Sequence, residues 1–309
     1  MVIKNQILYG LLFLFMFAGC TNTQNDTATQ QSTKTDAEEA TVDIKELENF
    51  WDQSLADNDK FYKVTFPRTD IKLRLDGHKV LPGLAYTSWI AYWPMDDSTR
   101  IMGDMVLLDE ELPKVLPFLK SNGIQITAIH NHLLRETPRL MYMHFAGTGD
   151  ALELSKIMKG AYELTSTPLK ENNTSSKTTV NPNWEPVKKI LGKNGSDKGR
   201  ILKYSFPRKE NVRMQDNTMP ATFGIATAIG FQAISKDSAV ITGDFVMLES
   251  EVNAVINKLA ENDIEVTALH NHMLHEEPRL FYMHFWATGN AEKLASGFKE
   301  ALKETNSVQ

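Results

Sequence analysis

Residues 121–145 read SNGIQITAIHNHLLRETPRLMYMHF, and residues 261–285 read ENDIEVTALHNHMLHEEPRLFYMHF. The two stretches are identical at 16 of 25 positions and lie 140 residues apart. This period is far longer than that of solenoid repeats, so the sequence predicts a tandem pair of whole homologous domains. Two flanking motifs return at the same offset, as Phe66-Pro67-Arg68 with Phe206-Pro207-Arg208 and as Gly103-Asp104 with Gly243-Asp244.

Each copy combines short strands with amphipathic helices. Strands are predicted in the first copy by alternating or continuous apolar residues at 61–66, 84–93, 101–108, 124–131 and 140–145. Apolar residues at helical spacing predict helices near 112–119, where Pro117 favours a kink, and near 154–161, after the N-capping residue type Asp150. The order of elements indicates an α+β fold, in which each domain is a mostly antiparallel sheet with helices on one face. A ferredoxin-like arrangement is one form of it.

Length and composition bound the class of protein. The chain has 309 residues, of which 42% are hydrophobic and 23% charged, so it is long enough for two globular domains. Lys and Arg total 33 against 39 Asp and Glu, and this net charge of −6 argues against a nucleic-acid partner. The single Cys excludes a disulfide framework within the chain and a Cys-rich zinc module.

The amino terminus predicts export and membrane attachment. Residues 1–19 contain an apolar run of the length of a signal-peptide core, too short to span a bilayer, followed by the lone Cys20. Small residues before Cys20 resemble a bacterial lipoprotein signal, in which this Cys would be lipidated. The polar stretch 20–43 lacks the apolar residues needed for a packed core, so we expect a disordered tether. We therefore expect an exported protein, anchored by lipid to a bacterial membrane or to the cell surface.

The repeat period sets the domain boundaries. The first repeat domain is predicted at 44–168 and the second at 184–309. Between them, 169–183 is rich in Asn, Thr, Ser and Lys and is predicted to be a linker.

Six of the eight histidines fall in the duplicated stretch, and these are His130, His132, His144, His270, His272 and His284. Residues two apart in a strand point to the same face, which is how a His-x-His pair supplies two imidazoles to one metal ion. The third histidine lies on the next strand of the hairpin. It joins the other two only if the antiparallel register pairs residues whose numbers sum to an even value. The sequence leaves that register open.

Several interpretations of this hairpin remain open. A divalent metal, with Zn²⁺ as the first candidate, would use the three histidines of each repeat. Glu136 and Glu276 in the hairpin loop are candidate catalytic bases or further ligands, and Asp104 and Asp244 are weaker candidates. The alternatives are a purely structural hydrogen-bonded network and metal-free ligand binding or acid–base chemistry.

The hairpin motif, together with Phe-Pro-Arg and Gly-Asp upstream, resembles the LppY/LpqO family of bacterial lipoproteins, a family of unknown function. The resemblance covers nearly all of the chain after the tether. It implies an exported bacterial protein with paired domains and carries over no activity. The function we expect is a lipoprotein with a divalent-metal site in each repeat, with hydrolysis as one activity such a site supports. The alternative is a non-catalytic binding or scaffold lipoprotein of the cell envelope with structural histidines.

Overall fold

The computed structural model describes residues 42–58, 60–170 and 180–309. The predicted signal peptide, Cys20, most of the predicted tether and part of the predicted linker lie outside these residues. The elements of the first repeat are α1 Ile44–Trp51, β1 Ala56–Asp57, β2 Tyr62–Pro67, β3 Arg74–Leu75, β4 His78–Lys79, α2 Pro82–Ala85, β5 Thr87–Pro94, β6 Thr99–Leu108, α3 Leu112–Ser121, β7 Gln125–His130, β8 Leu140–Gly149 and α4 Ala151–Tyr162.

The second repeat follows the same plan. Its elements are α5 Glu185–Leu191, β9 Ser196–Asp197, β10 Ile201–Pro207, β11 Arg213–Met214, β12 Asn217–Thr218, β13 Ala226–Ala233, β14 Ser238–Met247, α6 Glu249–Glu261, β15 Glu265–His270, β16 Glu276–Glu277, β17 Phe281–Asn290 and α7 Ala291–Lys303.

The main sheet of each repeat has six antiparallel strands. Their order is β1-β2-β5-β6-β8-β7 in the first repeat, and the second repeat keeps the equivalent order β9-β10-β13-β14-β17-β15. The predicted pair of antiparallel sheets with helices on one face is therefore confirmed. The predicted strand at 84–93 is wrong at its start, because Leu84 belongs to the short helix α2 and β5 begins at Thr87.

The arrangement is not ferredoxin-like in its order. The unit β6-α3-β7 does form the split crossover of that fold, since β8 lies between β6 and β7 in the sheet. The two remaining long strands, β2 and β5, precede this unit, and each repeat ends on a helix rather than on a strand.

Local sequence explains the helix boundaries. Asp150 and Asn290 are N-caps, and their side chains accept hydrogen bonds from the backbone N–H groups of Glu153 and Lys293 at 2.9 and 3.0 Å. Helix α3 begins with a proline in its first turn and continues through Pro117 to Ser121. Each repeat also begins with a helix, α1 or α5, that the apolar pattern did not predict.

Each repeat has its own core between the sheet and its helices. In the first repeat, alternate strand residues such as Met143 and Phe145 pack against Trp51 of α1, Leu119 of α3 and Met158 of α4. The second repeat has an equivalent core. One face of each sheet is therefore covered by helices of its own repeat, and the opposite face, which carries the even-numbered residues of β8 and β17, remains for other contacts.

The opposite face of each sheet packs against the other repeat. We call it the inner face. One shared core combines Trp93 and Met102 of the first repeat with Phe223 and Tyr282 of the second. A second shared core combines Leu75 of β3, Val80 after β4 and Leu84 of α2 with Val240 and Trp286. The segment between β2 and β5 thus packs on the inner face of the other sheet.

A buried side chain holds this segment in place. Gln232 of β13 accepts a hydrogen bond from the Leu81 N–H and donates one to the Lys79 carbonyl, both at 2.7 Å. Both repeats belong to one compact unit. Because the two predicted repeat domains share two apolar cores, we expect each to depend on the other for its stability.

The Phe-Pro-Arg motif supplies buried ion pairs. Arg68 is fully buried and pairs with Asp70 and Glu111, while Arg208 pairs in the same way with Glu210 and Glu251. These arginines join the end of β2 to the start of α3 and the end of β10 to the start of α6, so this motif is structural. Within the described ranges, no helix is both long and apolar enough to cross a membrane.

Candidate metal centre between the repeats

The register of the hairpin places the three histidines of each repeat on the inner face. His130 lies opposite Tyr142, and Ala128 lies opposite His144, so both pairs of residue numbers sum to an even value. A β-bulge between Ile126 and Ala128 shifts the register within this strand. The second repeat has the same bulge and register. Of the two registers that the sequence leaves open, the structure has the one that unites the histidines.

The six histidines form one cluster between the repeats. His130 stacks on His270 with ring centroids 3.5 Å apart. Two flanking pairs of tilted rings also cross between repeats, with ring centroids 3.7 Å apart for His132 and His284 and 3.9 Å apart for His144 and His272. The expectation of a separate histidine site in each repeat is therefore corrected to one shared cluster, because the two inner faces meet at their histidines.

Threonine and asparagine side chains hold the two His-Asn-His segments together. Thr127 Oγ1 donates to the His272 carbonyl, and Thr267 Oγ1 donates to the His132 carbonyl, both at 2.5 Å. Asn131 Nδ2 donates to the Thr267 carbonyl at 3.0 Å, and the equivalent bond from the second repeat is 2.9 Å long. Sequence reasoning missed this role, although the identity of these residues in both copies was the available signal.

Backbone carbonyls fix the protonation of four imidazoles. The Nδ1 atoms of His130 and His270 lie 3.0 and 3.1 Å from the carbonyls of the following asparagines. Those of His144 and His284 lie 3.2 and 2.8 Å from the carbonyls of Gly103 and Gly243. A carbonyl can only accept, so each Nδ1 carries the proton and each Nε2 keeps its lone pair. This is the arrangement found in metal-binding histidines.

The glycine of the Gly-Asp motif allows the sheet to form this contact. A Cβ atom on Gly103 would clash with the Trp89 carbonyl oxygen and with the Phe145 ring, and one on Gly243 would clash with the Ala228 carbonyl oxygen. Only glycine therefore permits the close approach of neighbouring strands here. The motif places a carbonyl behind the third histidine of each repeat and an aspartate beside it.

All six Nε2 atoms are buried and have no hydrogen-bond partner in the described part of the chain. Unpartnered buried nitrogen atoms are costly, so their convergence in one place calls for a ligand. Four of these histidines, His130, His270, His272 and His284, have ligand atoms within 4.8 Å of one another. The structure thus contains a histidine group that could hold a metal ion.

Burial keeps the imidazoles neutral. It lowers the pKa of His130 to about 4, and the nearby His270 adds to this effect. The pKa values of the other five histidines are also lowered, chiefly by burial, in His132, His144, His270, His272 and His284. A neutral imidazole has the lone pair that a metal requires, so the cluster is in the binding form at neutral pH.

Two aspartates border the cluster. Asp104 Oδ2 lies 3.6 Å from His132 Nε2, and Asp244 Oδ2 lies 3.0 Å from His272 Nε2. Burial, together with the charge of Asp244, raises the pKa of Asp104 to about 8, and Lys63 opposes this shift. These aspartates, which the sequence ranks below the hairpin glutamates, are the carboxylates closest to the histidines among the ion pairs of the structure.

The structure gives Glu136 and Glu276 other partners. Glu136 accepts a hydrogen bond from the Leu140 N–H at 3.4 Å. Glu276 accepts from the Leu280 N–H at 3.2 Å and pairs with Arg279 at 3.1 Å. Neither glutamate belongs to the histidine group. The two carboxylates close the hairpin loop, so the structure does not bring these candidate bases to the cluster.

The two histidines outside the duplicated stretch lie apart from the group. His275 is exposed and His78 is half-buried on the small hairpin β3-β4.

Comparison with protein families gave one match that accounts for most of the chain. The model of the family described as Domain of Unknown Function (DUF1259) matches residues 45–164 and again residues 185–304. The two matches coincide with the two repeats of the structure. No curated protein matches the chain.

Solved structures gave only distant similarities. The trimeric bacterial microcompartment shell protein PduB is 9% identical, with 81% of this chain and 88% of that chain covered and a TM-score of 0.20. The double ringed trimeric shell protein MSM0271 from the RMM microcompartment is 7% identical, with 71% and 87% covered and a TM-score of 0.19. TP0453 is 13% identical, with 85% and 99% covered and a TM-score of 0.19. Scores this low carry no argument about fold or function.

Proposed function

Since this chain belongs to the family described as Domain of Unknown Function (DUF1259) and carries two copies of its domain, we propose a function that both copies make together: a transition-metal centre. The ion lies among His130, His270, His272 and His284, one histidine from the first repeat and three from the second. Binding therefore requires both repeats in contact.

One observation carries this proposal. Three of the four proposed ligands, His130, His270 and His284, each donate an Nδ1–H hydrogen bond to a backbone carbonyl, and their Nε2 atoms are buried without a hydrogen-bond partner within the described ranges. The Nε2 atom of the fourth, His272, lies 3.0 Å from Asp244 Oδ2. A structural histidine network would use both ring nitrogens in hydrogen bonds, because an unpaired buried nitrogen costs about 1–3 kcal/mol. Here one nitrogen of each of the first three rings is oriented and the other is left for a ligand.

Zn²⁺ is the first candidate, because four imidazoles suit its tetrahedral coordination. Nitrogen ligands at about 2.0–2.1 Å from zinc are separated by roughly 3.3 Å in that geometry, so the present separations of up to 4.8 Å would shorten as the rings close on the ion. Imidazoles also bind Cu²⁺ and Ni²⁺ well, and these are the competing metals.

The ligand set favours a closed centre. Four protein ligands fill a tetrahedral ion, whereas catalytic zinc keeps a position for water. A hydrolytic role requires that one imidazole leaves the ion, and the buried Asp104 or Asp244 would then be a nearer base than Glu136 or Glu276. We therefore propose that the ion stabilises the contact between the repeats.

A second candidate is a metal-free scaffold. The rings stack across the repeats at 3.5 to 3.9 Å, so they bury apolar surface against each other without an ion. In that case the cluster would join the repeats by packing alone, and elemental analysis and titration would find no bound metal.

The cellular setting that we propose is the bacterial envelope. The apolar run ending at Cys20 supports lipidation of this residue and attachment to a membrane, and the hairpin motif supports kinship with the LppY/LpqO lipoproteins. Replacement of Cys20 by Ala should move the protein from the membrane to the soluble fraction. Unchanged partition would contradict lipidation at this residue.

The metal proposal is tested by elemental analysis and calorimetric titration with Zn²⁺, Cu²⁺ and Ni²⁺ near pH 7.5. The protein should be free of any histidine tag and carry Cys20→Ala, so that no added imidazole or lone thiol binds the ion. We expect binding at micromolar concentration or tighter, its loss in the His130→Ala/His270→Ala double variant, and its retention in His275→Ala. A wild-type protein that binds none of the three metals refutes the proposal.

A further inference from the structure

Three donors on the first repeat remain outside the four-histidine group. Asp104 and His144 are buried and His132 is half-buried, with exposed fractions of 6% and 15% for the side chains of Asp104 and His132 and 2% for residue His144. Asp104 Oδ1 and both Nε2 atoms have no hydrogen-bond partner among the residues that the structure describes. The first ion leaves these three groups unsatisfied.

The repeat relates these donors to ones already assigned. Asp104, His132 and His144 are the counterparts of Asp244, His272 and His284, at the same offset of 140 residues. Asp104 lies opposite His144 in the sheet, as Asp244 lies opposite His284. The carbonyls of Gly103 and Gly243 accept the Nδ1 protons of these two histidines in the same way. The Nε2 atom of His144 is therefore left free to bind a ligand in the same way as that of His284.

The charges of the cluster also favour a second cation. The six imidazoles are uncharged ligands, and two aspartates are buried beside them on opposite repeats. Asp244 Oδ1, like Asp104 Oδ1, is buried without a hydrogen-bond partner in the described chain. A cation bound beside Asp104 would displace its proton and compensate the charge of this buried carboxylate.

We propose that the centre is dinuclear and that His132, His144 and Asp104 hold a second divalent ion. The inference rests on the proposed function, because it adds one ion to the same cluster. Two imidazoles and one carboxylate are a ligand set used for divalent first-row metals and leave coordination positions open. The first ion uses both His130 and His270, so the second ion would be held by donors of the first repeat alone.

The test is a count of ions. Tag-free Cys20→Ala protein is titrated with Co²⁺, whose absorption reports its ligands, and with Zn²⁺, and bound metal is measured by elemental analysis. We expect two ions per chain in the parent, one in Asp104→Asn and one in His132→Gln, with near-ultraviolet circular dichroism unchanged. His275→Gln is the matched control and should keep two. Asparagine preserves the size of the aspartate, and His132→Gln is a second route to the same loss if Asp104→Asn does not fold.

The outcomes separate this inference from the proposed function. One ion in the parent protein overturns the dinuclear centre and leaves the four-histidine site intact. Two ions retained in a folded Asp104→Asn or His132→Gln variant also overturn it, because the second ion would then lie elsewhere. No ion in the parent overturns both proposals.

Discussion

Acid should destabilise the metal-free protein steeply, because the buried histidines resist protonation. An unfolded histidine takes up a proton near pH 6.5, whereas burial lowers the pKa of His130 to about 4 in the folded state. The unfolded state therefore binds more protons than the folded state between these values. The contribution of His130 to stability is complete above pH 6.5 and is lost as the pH falls toward 4.

The slope of the free energy of unfolding against pH is proportional to the difference in bound protons between the unfolded and folded states. Each proton bound only by the unfolded state costs about 1.4 kcal/mol per pH unit. Asp104 works in the opposite direction, because its pKa is raised to about 8 and the folded state keeps a proton that the unfolded chain releases. Each cluster histidine that stays neutral in the folded state between pH 6 and pH 5 adds up to about 1.4 kcal/mol to the loss per pH unit, and Asp104 subtracts about as much. Several such histidines would together remove a large part of the stability of an ordinary domain.

The assay is urea unfolding of chelator-treated protein at half-unit intervals from pH 7.5 to 5. We expect the midpoint to fall sharply below pH 6.5. The His130→Gln/His270→Gln variant should lower the slope, by about 1.4 kcal/mol per pH unit for each of the two histidines that stays neutral in the folded parent. His275→Gln removes an exposed histidine and should leave the slope unchanged. A flat profile between pH 6 and 5 in the parent would mean that the folded protein accepts protons in the cluster, and the reasoning would fail.

Four further outcomes follow from the contacts between and within the repeats. Thr127→Val leaves the His272 carbonyl without its donor and should lower the free energy of unfolding by about 1–3 kcal/mol in urea titrations; a change within error would show that water replaces the hydroxyl. Gly103→Ala forces β5 and β6 apart and should destabilise by at least about 2 kcal/mol, which a mutant melting temperature equal to the parent's would disprove. Gln232→Leu leaves two partly buried backbone groups unpaired and should cost about 1–3 kcal/mol by the same measurement; full stability would mean that this side chain does not hold the packed segment. Either repeat expressed alone should lack a cooperative unfolding transition, because its inner face would be exposed, and a sharp monomeric transition in either half would contradict the shared cores.

Much of each repeat was predictable because the relevant signals are local. The spacing of apolar residues located α3 and α4 and the long strands, and the capping residue Asp150 marked the start of α4. The apolar run that begins at Leu84 predicts a strand, but its first residues form the short helix α2. Proline at the start of that helix and packing against the other repeat decided the local conformation there.

The shared cores also had a signal in the sequence. Strand β5 contains the run Trp89-Ile90-Ala91-Tyr92-Trp93, which is apolar on both faces. Such a run is typical of a strand that is covered on both sides. The helices of one repeat can cover only one face, so a second layer was required, but the run does not say that the other repeat supplies it.

By itself, the sequence determined the duplication, most elements of each repeat and the six histidines of the cluster. Repeats, apolar periodicity and residue chemistry are local properties of the sequence and can be recognised without the fold. Only the tertiary structure decided that the histidines of both repeats share one cluster and that Asp104 and Asp244, rather than Glu136 and Glu276, lie beside them. The physical reason is that a hairpin register can shift by one residue without changing the composition of its strands. The packing of two inner faces depends, in addition, on contacts between residues more than one hundred positions apart.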